Sequence, residues 1–143
     1  KTLKTTIKLI PFNKSSLDAS NFDGNLSTIC LIHGYTDNGT KPWIIEAKDE
    51  FLASQSANII SLNYSAYVSS NYDIAVCNAF RVAEYAASVF NWISENSELT
   101  GSRLHNIGHS LGAHVAGIMG YYMILLPIGK IIRISGLKLS ISF

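Results

Sequence analysis

Residues 108–117 read Gly-His-Ser-Leu-Gly-Ala-His-Val-Ala-Gly, and they decide the fold because they contain a Gly-x-Ser-x-Gly pattern. Residues 104–107 precede the pattern as a predicted short strand, and the apolar run 111–126 follows it as a predicted helix. A strand, a tight turn and a helix in that order hold a serine hydroxyl exposed at the end of a sheet. The pattern therefore predicts that Ser110 is a nucleophile and not part of an ordinary turn.

A second motif agrees with the first in order and context. The strand-like run 27–32, Ser-Thr-Ile-Cys-Leu-Ile, leads directly into His33, Gly34 and Tyr35. A serine that attacks a carbonyl group needs backbone N–H donors for the oxygen that becomes negative, and one of them comes from a loop after an earlier strand. The segment after residue 32 is the expected source of that donor.

The rest of the chain alternates predicted strands with predicted helices. This alternation predicts an α/β protein with a mainly parallel sheet that is covered by helices on both faces. On the long helix, the spacing of Val76, Phe80, Ala83, Ala87 and Phe90 predicts the face that packs on the sheet. The predicted strands are 5–11, 27–32, 58–62, 104–107 and 131–135, the predicted helices are 42–54, 75–93 and 111–126, and 13–25 is a predicted surface loop with a turn at Asp23 and Gly24.

Composition excludes several classes of function. The 143 residues carry a formal net charge of +1, so no basic surface indicates a nucleic-acid partner. The apolar run 115–128 is shorter than the ~20 residues of a transmembrane helix and contains Gly117, Gly120 and Pro127. No cofactor is expected, and no Cys/His cluster has the spacing of zinc ligands.

Cys30 and Cys77 leave two alternatives open, a disulfide or two free thiols.

On the residues of the two motifs, the chain resembles the animal pancreatic-lipase superfamily, most of all its insect neutral lipases and phospholipase A1 enzymes. The resemblance covers most of residues 25–136. It implies an α/β-hydrolase fold, with residues 1–143 as one partial lipase domain. It also implies that Ser110 is the nucleophile and that the backbone N–H groups of Tyr35 and Leu111 form the oxyanion hole. A lipid ester substrate, secretion to the extracellular space and transient contact with a lipid interface are further implications.

One departure from the family concerns the catalytic triad. In the family, the strand after the elbow helix ends in Gly-Leu-Asp-Pro-Ala, and its aspartate is the triad acid; here Lys138 stands at that position. No Asp or Glu follows Ser110, and the histidines at positions 33, 105, 109 and 114 do not fit the order Ser, acid, His. We expect His33 to brace the oxyanion loop and His114 to make a hydrogen bond inside the fold.

Two hypotheses about function follow from this departure. The first is a lipid esterase of the lipase or phospholipase A1 type, of which this chain is the N-terminal part, truncated after the strand that follows the elbow. Its first residue is then that of a mature chain without its signal, or of an internal fragment. The second is a catalytically inactive lipase-like protein, either a pseudoenzyme or the product of an incorrect gene model.

Overall fold

The computed structural model describes residues 6–123 and, for their backbone, residues 130–134. Strands and helices alternate along the described chain, as the sequence predicts. The elements are α1 (Lys14–Asp18), β1 (Ser27–Ile32), α2 (Pro42–Ser54), β2 (Ala57–Leu62), α3 (Tyr72–Glu95), β3 (Leu104–His109), α4 (Leu111–Tyr122) and β4 (Lys130–Ile134), with short 3₁₀ turns at Ser65–Tyr67 and Gly101–Arg103.

The described strands form one parallel sheet in the order β2-β1-β3-β4. In the central strand, Ile32 is in register with Leu62 on one side and with Gly108 on the other. Strand order therefore reverses direction at β1, since the chain goes from β1 to β2 on one side and returns to β3 on the other. In open α/β sheets, ligand sites lie at the carboxyl ends of the strands that flank such a reversal.

Helices cover both faces of the sheet, which confirms the predicted architecture. On one face, α2 contributes Ile44 to a buried cluster with Ile29, Leu31 and Ile107. On the other face, α3 and α4 pack over Cys30, Ile32 and Leu104. Strand β1 therefore has a buried apolar side chain on each face, as expected for a strand inside a parallel sheet.

The predicted first strand is wrong over the residues that are described. Residues 6–10 form no strand, and the chain turns at Phe12, whose φ is 59°. The Phe12 ring makes edge contacts with Tyr85 and Trp92 of α3, each at 5.8 Å between ring centroids. Within the predicted strand, Leu9 packs against the buried cluster, whereas Ile7 and Ile10 are exposed. Thr5, where the predicted strand begins, lies outside the described residues.

The packed face of α3 matches the predicted face except at Phe80. Phe80 is 46% exposed, whereas Ala75, Ala79 and Ala83 are buried. The alanines allow the backbone of α3 to approach α4 closely, and this contact decides which face is buried. Phe80 follows Ala79 by one residue, about 100° around the helix, so it points away from that contact. Val76 is partly buried against the same cluster, and Ala83, Ala87 and Phe90 are buried as predicted.

Two smaller differences concern the bounds of predicted elements. The predicted loop 13–25 contains the short helix α1, which buries Leu17, and its predicted turn is present, with Leu26 N–H donating to the Asp23 carbonyl at 3.1 Å. Helix α4 ends at Tyr122, four residues before its predicted end, because Met123 leaves helical geometry (ψ 83°). Residues 124–129 and 135–143, which include Pro127 and Lys138, lie outside the described residues.

Both cysteines are free, which decides between the two alternatives for them: Cys30 is buried and Cys77 is exposed. Burial raises the pKa of the Cys30 thiol, so this side chain stays neutral in the core. Within the described residues, no helix has both the length and the apolar character needed to cross a bilayer.

Candidate active site

Ser110 occupies the turn between β3 and α4, as the sequence predicts. It is the N-cap residue of α4 and has a φ of 54° and a ψ of −123°. A residue with a side chain rarely adopts a positive φ, and such strain costs of order 1–3 kcal/mol and occurs most often at functional sites. The strained turn makes Ser110 the first candidate for a reacting group.

Two glycines make this turn possible by letting backbone segments come very close. A methyl group at Gly108 would lie 2.2 Å from the Gly112 carbonyl oxygen, and one at Gly112 would lie 2.3 Å from the Ile32 carbonyl oxygen. No side chain fits at either position, because the atoms that it would meet belong to the backbone. The start of α4 is therefore pressed against the end of β1.

The loop after β1 reaches Ser110. A methyl group at Gly34 would lie 3.0 Å from the Ser110 Cβ atom, so the Gly34 backbone passes directly beside the serine. The next residue, Tyr35, donates its hydroxyl to the Ser70 carbonyl at 2.7 Å, and its ring meets Tyr72 edge-on at 5.0 Å. Thr36 has a φ of 57°, a second strained residue at the same edge of the sheet.

The two residues predicted to supply oxyanion donors are chain neighbours of the two residues in this contact, Gly34 and Ser110. Leu111 is the first residue of α4, so its N–H group has no acceptor within the helix. Tyr35 follows the glycine that contacts Ser110. The positive end of the α4 dipole is at the same place. This arrangement is chemically suited to bind an oxygen atom that gains negative charge beside the serine hydroxyl.

His33 is fully buried and both of its ring nitrogens are used. Its Nδ1 lies 2.9 Å from the Gly34 carbonyl oxygen, and its Nε2 accepts the Tyr64 N–H at 3.2 Å. The Tyr64 ring stacks on it at 4.1 Å with an interplanar angle of 12°, and the Tyr64 hydroxyl donates to the His33 carbonyl. Burial lowers the pKa of His33, so the ring is neutral at pH 7. These contacts agree with a bracing role for His33.

The sequence predicts no catalytic role for the other three histidines, which lie in β3 and α4. His109 points to the α2 face, where its ring lies 5.7 Å from Trp43; among the described residues, its buried Nδ1 and the Trp43 Nε1 have no hydrogen-bond partner. His114 is half-buried in the first turns of α4, and His105 is at the start of β3. Lys138, at the position of the family's acid, lies outside the described residues. In the described part of the chain, no three acidic, His or Cys side chains form a group that would hold a metal ion.

Two residues of this site escape the sequence analysis. The sequence analysis assigns no role to Tyr64, and its contacts with His33 join residues that are 31 apart in the chain. Thr36 carries no sequence signal for a positive φ, because β-branched residues are the least typical ones in that region. Neither feature has a local pattern that would reveal it.

A parallel sheet covered on both faces, with a strained serine between a strand and a helix at its switch point, defines the α/β-hydrolase class. The sequence model of the Lipase family matches residues 2–140, and the chain belongs to that family. The match extends beyond the 25–136 segment in which the motifs lie, and it includes Lys138.

Three relatives illustrate the similarity. The chain is 35% identical over 125 residues to a putative endothelial lipase of Crotalus adamanteus, which covers 85% of this chain and 24% of that protein. It is 34% identical over 126 residues to hepatic triacylglycerol lipase of Oryctolagus cuniculus, with 85% and 25% covered. It is 32% identical over 112 residues to inactive pancreatic lipase-related protein 1 of Canis lupus familiaris, with 78% and 24% covered. The chain spans about a quarter of the length of these relatives.

Proposed function

We propose that the whole protein hydrolyses carboxylic esters of lipids, with Ser110 as the nucleophile and the N–H groups of Tyr35 and Leu111 as the oxyanion hole. The observation that carries this proposal is the strained Ser110 turn in direct contact with the Gly34 backbone. Backbone strain at a serine lowers the stability of the folded protein, and such strain is found most often at functional sites. Membership of the Lipase family supports the same reaction.

In the proposed reaction, the Ser110 hydroxyl attacks the ester carbonyl carbon while a general base takes its proton. The carbonyl oxygen becomes negative and accepts hydrogen bonds from the two N–H groups. Collapse of this intermediate releases the alcohol, which takes the proton from the base, and leaves an acyl group on Ser110. Water then attacks the acyl group by the same steps and releases the fatty acid. His33 is not the base, because both of its nitrogens already bind backbone groups.

We propose a lipid ester as substrate, and transient contact of this edge of the sheet with a lipid interface. Support comes from apolar side chains near the carboxyl ends of the strands: Tyr67, after β2, is 59% exposed, and Ile74, in the first turn of α3, is 54% exposed. The net charge of +1 offers no strong attraction to anionic lipid. Hydrolysis of acylglycerols and phospholipase A1 activity both fit, and we propose secretion and a single catalytic domain that includes residues 1–143.

A second candidate is a catalytically inactive lipase-like protein. The observation that favours it is Lys138 at the position of the triad acid in the resemblance to the family. A relative whose name includes the word inactive gives this candidate some support. For residues 1–143 as a separate protein, it predicts that Lys138→Asp restores no activity, because this segment contains no histidine after His114.

Three proteins test the two candidates: the chain itself, its Ser110→Ala variant and a chimera that continues after residue 136 with the C-terminal part of hepatic triacylglycerol lipase. Short-chain ester hydrolysis and covalent labelling by a fluorophosphonate are measured for each. We expect the chain to be slower than the chimera by about 10⁴-fold or more, the usual cost of a missing triad member.

Labelling of the chimera must depend on Ser110. Ser88→Ala, which removes an exposed serine of α3, is the matched control and should leave labelling unchanged. A chimera that is soluble and folded but neither labelled nor active would contradict Ser110 as the nucleophile. Hydrolysis by the chain alone at the rate of the chimera would show that the base lies within residues 1–143.

A further inference from the structure

Two groups fix the direction of the Gly34 carbonyl: the Asp37 N–H donates to it at 3.3 Å, and the His33 ring contacts it more closely. The Gly34 carbonyl oxygen is only an acceptor, so the His33 Nδ1 that lies 2.9 Å away must carry the proton. The Tyr64 N–H is only a donor, so the Nε2 that it meets at 3.2 Å must be unprotonated. Both hydrogen bonds are satisfied by one state, the neutral ring with its proton on Nδ1.

The Gly34 carbonyl and the Tyr35 N–H belong to the same peptide group. In a planar trans peptide these two groups point in opposite directions. The His33 ring lies toward β2, because it stacks on Tyr64, which follows that strand. Strand β3, which leads to Ser110, lies on the other side of β1. A carbonyl that points toward β2 therefore turns the Tyr35 N–H toward Ser110.

We propose that His33 is a positioning residue, which aims the Tyr35 N–H at the substrate oxygen by donating its own Nδ1–H to the Gly34 carbonyl. This inference rests on the proposed function, since it assumes that Tyr35 supplies an oxyanion donor. The hydrogen bonds form a series from Tyr64 N–H through the imidazole and the peptide group to Tyr35 N–H. Successive hydrogen bonds polarise one another, so the ring also makes the Tyr35 N–H a better donor.

Tyr64 is the residue that holds the ring in this state. Its N–H fixes the tautomer, its ring fixes the plane of the imidazole, and its hydroxyl fixes the His33 carbonyl. Burial raises the pKa of this hydroxyl above its ordinary value of 10, so it remains a donor at neutral pH. The two residues together fix both peptide groups of Gly34.

Protonation of His33 would break the hydrogen bond between its Nε2 and the Tyr64 N–H. A proton on Nε2 would face the Tyr64 N–H, and two donors cannot share one hydrogen bond. Among the described residues, the ionisable groups that act on His33 or on its neighbour Tyr64 are Asp37 of the same loop and the neutral thiol of Cys30 in β1. Only Asp37 carries charge at neutral pH, and it also pairs with Lys41 at 3.1 Å. Nδ1 keeps its proton in the charged ring, so protonation breaks only the bond to Tyr64; the ring should then move away from the Tyr64 N–H, and the Gly34 peptide group that it holds should shift with it.

The test follows the two groups directly in the full-length protein labelled with ¹⁵N-histidine and ¹⁵N-tyrosine. We expect the His33 signals of an Nδ1–H tautomer at pH 8, and a Tyr35 amide shift that changes with the same midpoint as His33, at a pH below 6.5. An Nε2–H tautomer, or a Tyr35 amide that does not respond when His33 gains its proton, would overturn the proposal.

Labelling of Ser110 by a fluorophosphonate gives the second readout. His33→Asn places an amide N–H close to the position of Nδ1 and removes the titration, so labelling at pH 8 should stay within a few fold of wild type. His33→Ala removes the donor and should lower the labelling rate by about 10²-fold, the cost of one oxyanion donor. His105→Asn, in β3 and away from the loop, is the control and should change neither readout.

Equal labelling rates for folded His33→Asn and His33→Ala proteins would contradict the positioning role. A wild-type protein that is not labelled at any pH would overturn the proposed hydrolase function. In that case the ¹⁵N signals still decide between coupling and independence of His33 and Tyr35, so the two failures are distinguishable.

Discussion

The loop after β1, which contains His33, Gly34 and Tyr35 (the β1 loop), and the turn at Ser110 after β3 (the β3 turn) lie side by side. Different interactions hold them in place. The β1 loop is fixed by hydrogen bonds of its side chains: His33 to Gly34 and Tyr64, and Tyr35 to Ser70. The β3 turn is fixed by steric exclusion, since Gly108 and Gly112 lie where no side chain fits. Polar groups near the β3 turn are less well satisfied, because His109 Nδ1 and both amide atoms of Asn106 have no partner among the described residues.

This difference indicates that the two segments have different structural requirements. The β3 turn needs a single backbone geometry that exposes Ser110, and close packing of backbone on backbone supplies it without any polar partner. The β1 loop needs a peptide group with a definite direction, and only directional hydrogen bonds determine that. Substitutions in the β3 turn should therefore act through side-chain volume, and substitutions in the β1 loop should act through hydrogen bonding.

The largest expected effect is that of Gly112→Ala. Its new methyl group would lie 2.3 Å from the Ile32 carbonyl oxygen and 2.4 Å from the His33 carbonyl oxygen, and neither backbone segment can move without separating β1 from α4. We expect a loss of about 4 kcal/mol or more in the free energy of unfolding, or no folded protein.

Gly34→Ala is the matched comparison for this prediction, measured in the same denaturant unfolding experiment. Its methyl group would meet the Ser110 Cβ atom at 3.0 Å and the His109 carbonyl oxygen at 3.1 Å, where a shift of a few tenths of an ångström is enough. We expect a smaller loss, of about 1–2 kcal/mol. Equal losses for the two variants would contradict the idea that exclusion is stricter at the β3 turn.

The same contrast between local and long-range contacts explains which parts of the structure can be predicted from the sequence. The β3 turn is predictable because its requirements are local: two glycines, one serine and a strand and helix on either side. Helix α2 is predicted to the residue, since Pro42 marks its first turn. The His33–Tyr64 contact is not predictable, because it joins two loops that only the order of the strands brings together. The buried face of α3 is misjudged at Phe80, because alanine contacts with α4 outweigh the burial of a large ring.

Two buried asparagines differ in how many hydrogen bonds their side-chain amides make. Asn58 is fully used: its amide donates to the Asp23 carbonyl and to the Thr28 hydroxyl, and it accepts the Asp23 N–H. Asn106, in β3, is 0% exposed and has no partner among the described residues. We expect Asn58→Leu to lower the free energy of unfolding by about 2–3 kcal/mol and Asn106→Leu to leave it unchanged or raise it by about 1–2 kcal/mol. Losses of the same size in chemical unfolding would show that Asn106 has a partner.

The strain at Ser110 is tested by two variants that both lack the hydroxyl. Ser110→Ala keeps a Cβ atom at a φ of 54°, whereas Ser110→Gly removes it. We expect the glycine variant to be more stable than the alanine variant by about 1–2 kcal/mol, because relief of strain exceeds the added entropy of glycine in the unfolded chain. Ser88→Gly against Ser88→Ala, within α3, is the control and should show the opposite order. An alanine variant as stable as the glycine variant would mean that the turn is not strained.

The smallest expected effect is a dependence of stability on pH that belongs to the β1 loop alone. The pKa of His33 is lower in the folded protein than its ordinary value of 6.5, because burial opposes the charged ring. Above pH 6.5 the ring is neutral in both states and contributes no pH dependence. Below it, the unfolded chain takes up the proton first, so the free energy of unfolding should fall by up to about 1.4 kcal/mol for each pH unit until the folded-state pKa is reached. Chemical unfolding of the His33→Asn protein between pH 5 and pH 8 should lack this decrease, while His105→Asn should keep it. A decrease of the same size in the His33→Asn protein would place the acid sensitivity outside the β1 loop, and the two segments would then not differ in their response to pH.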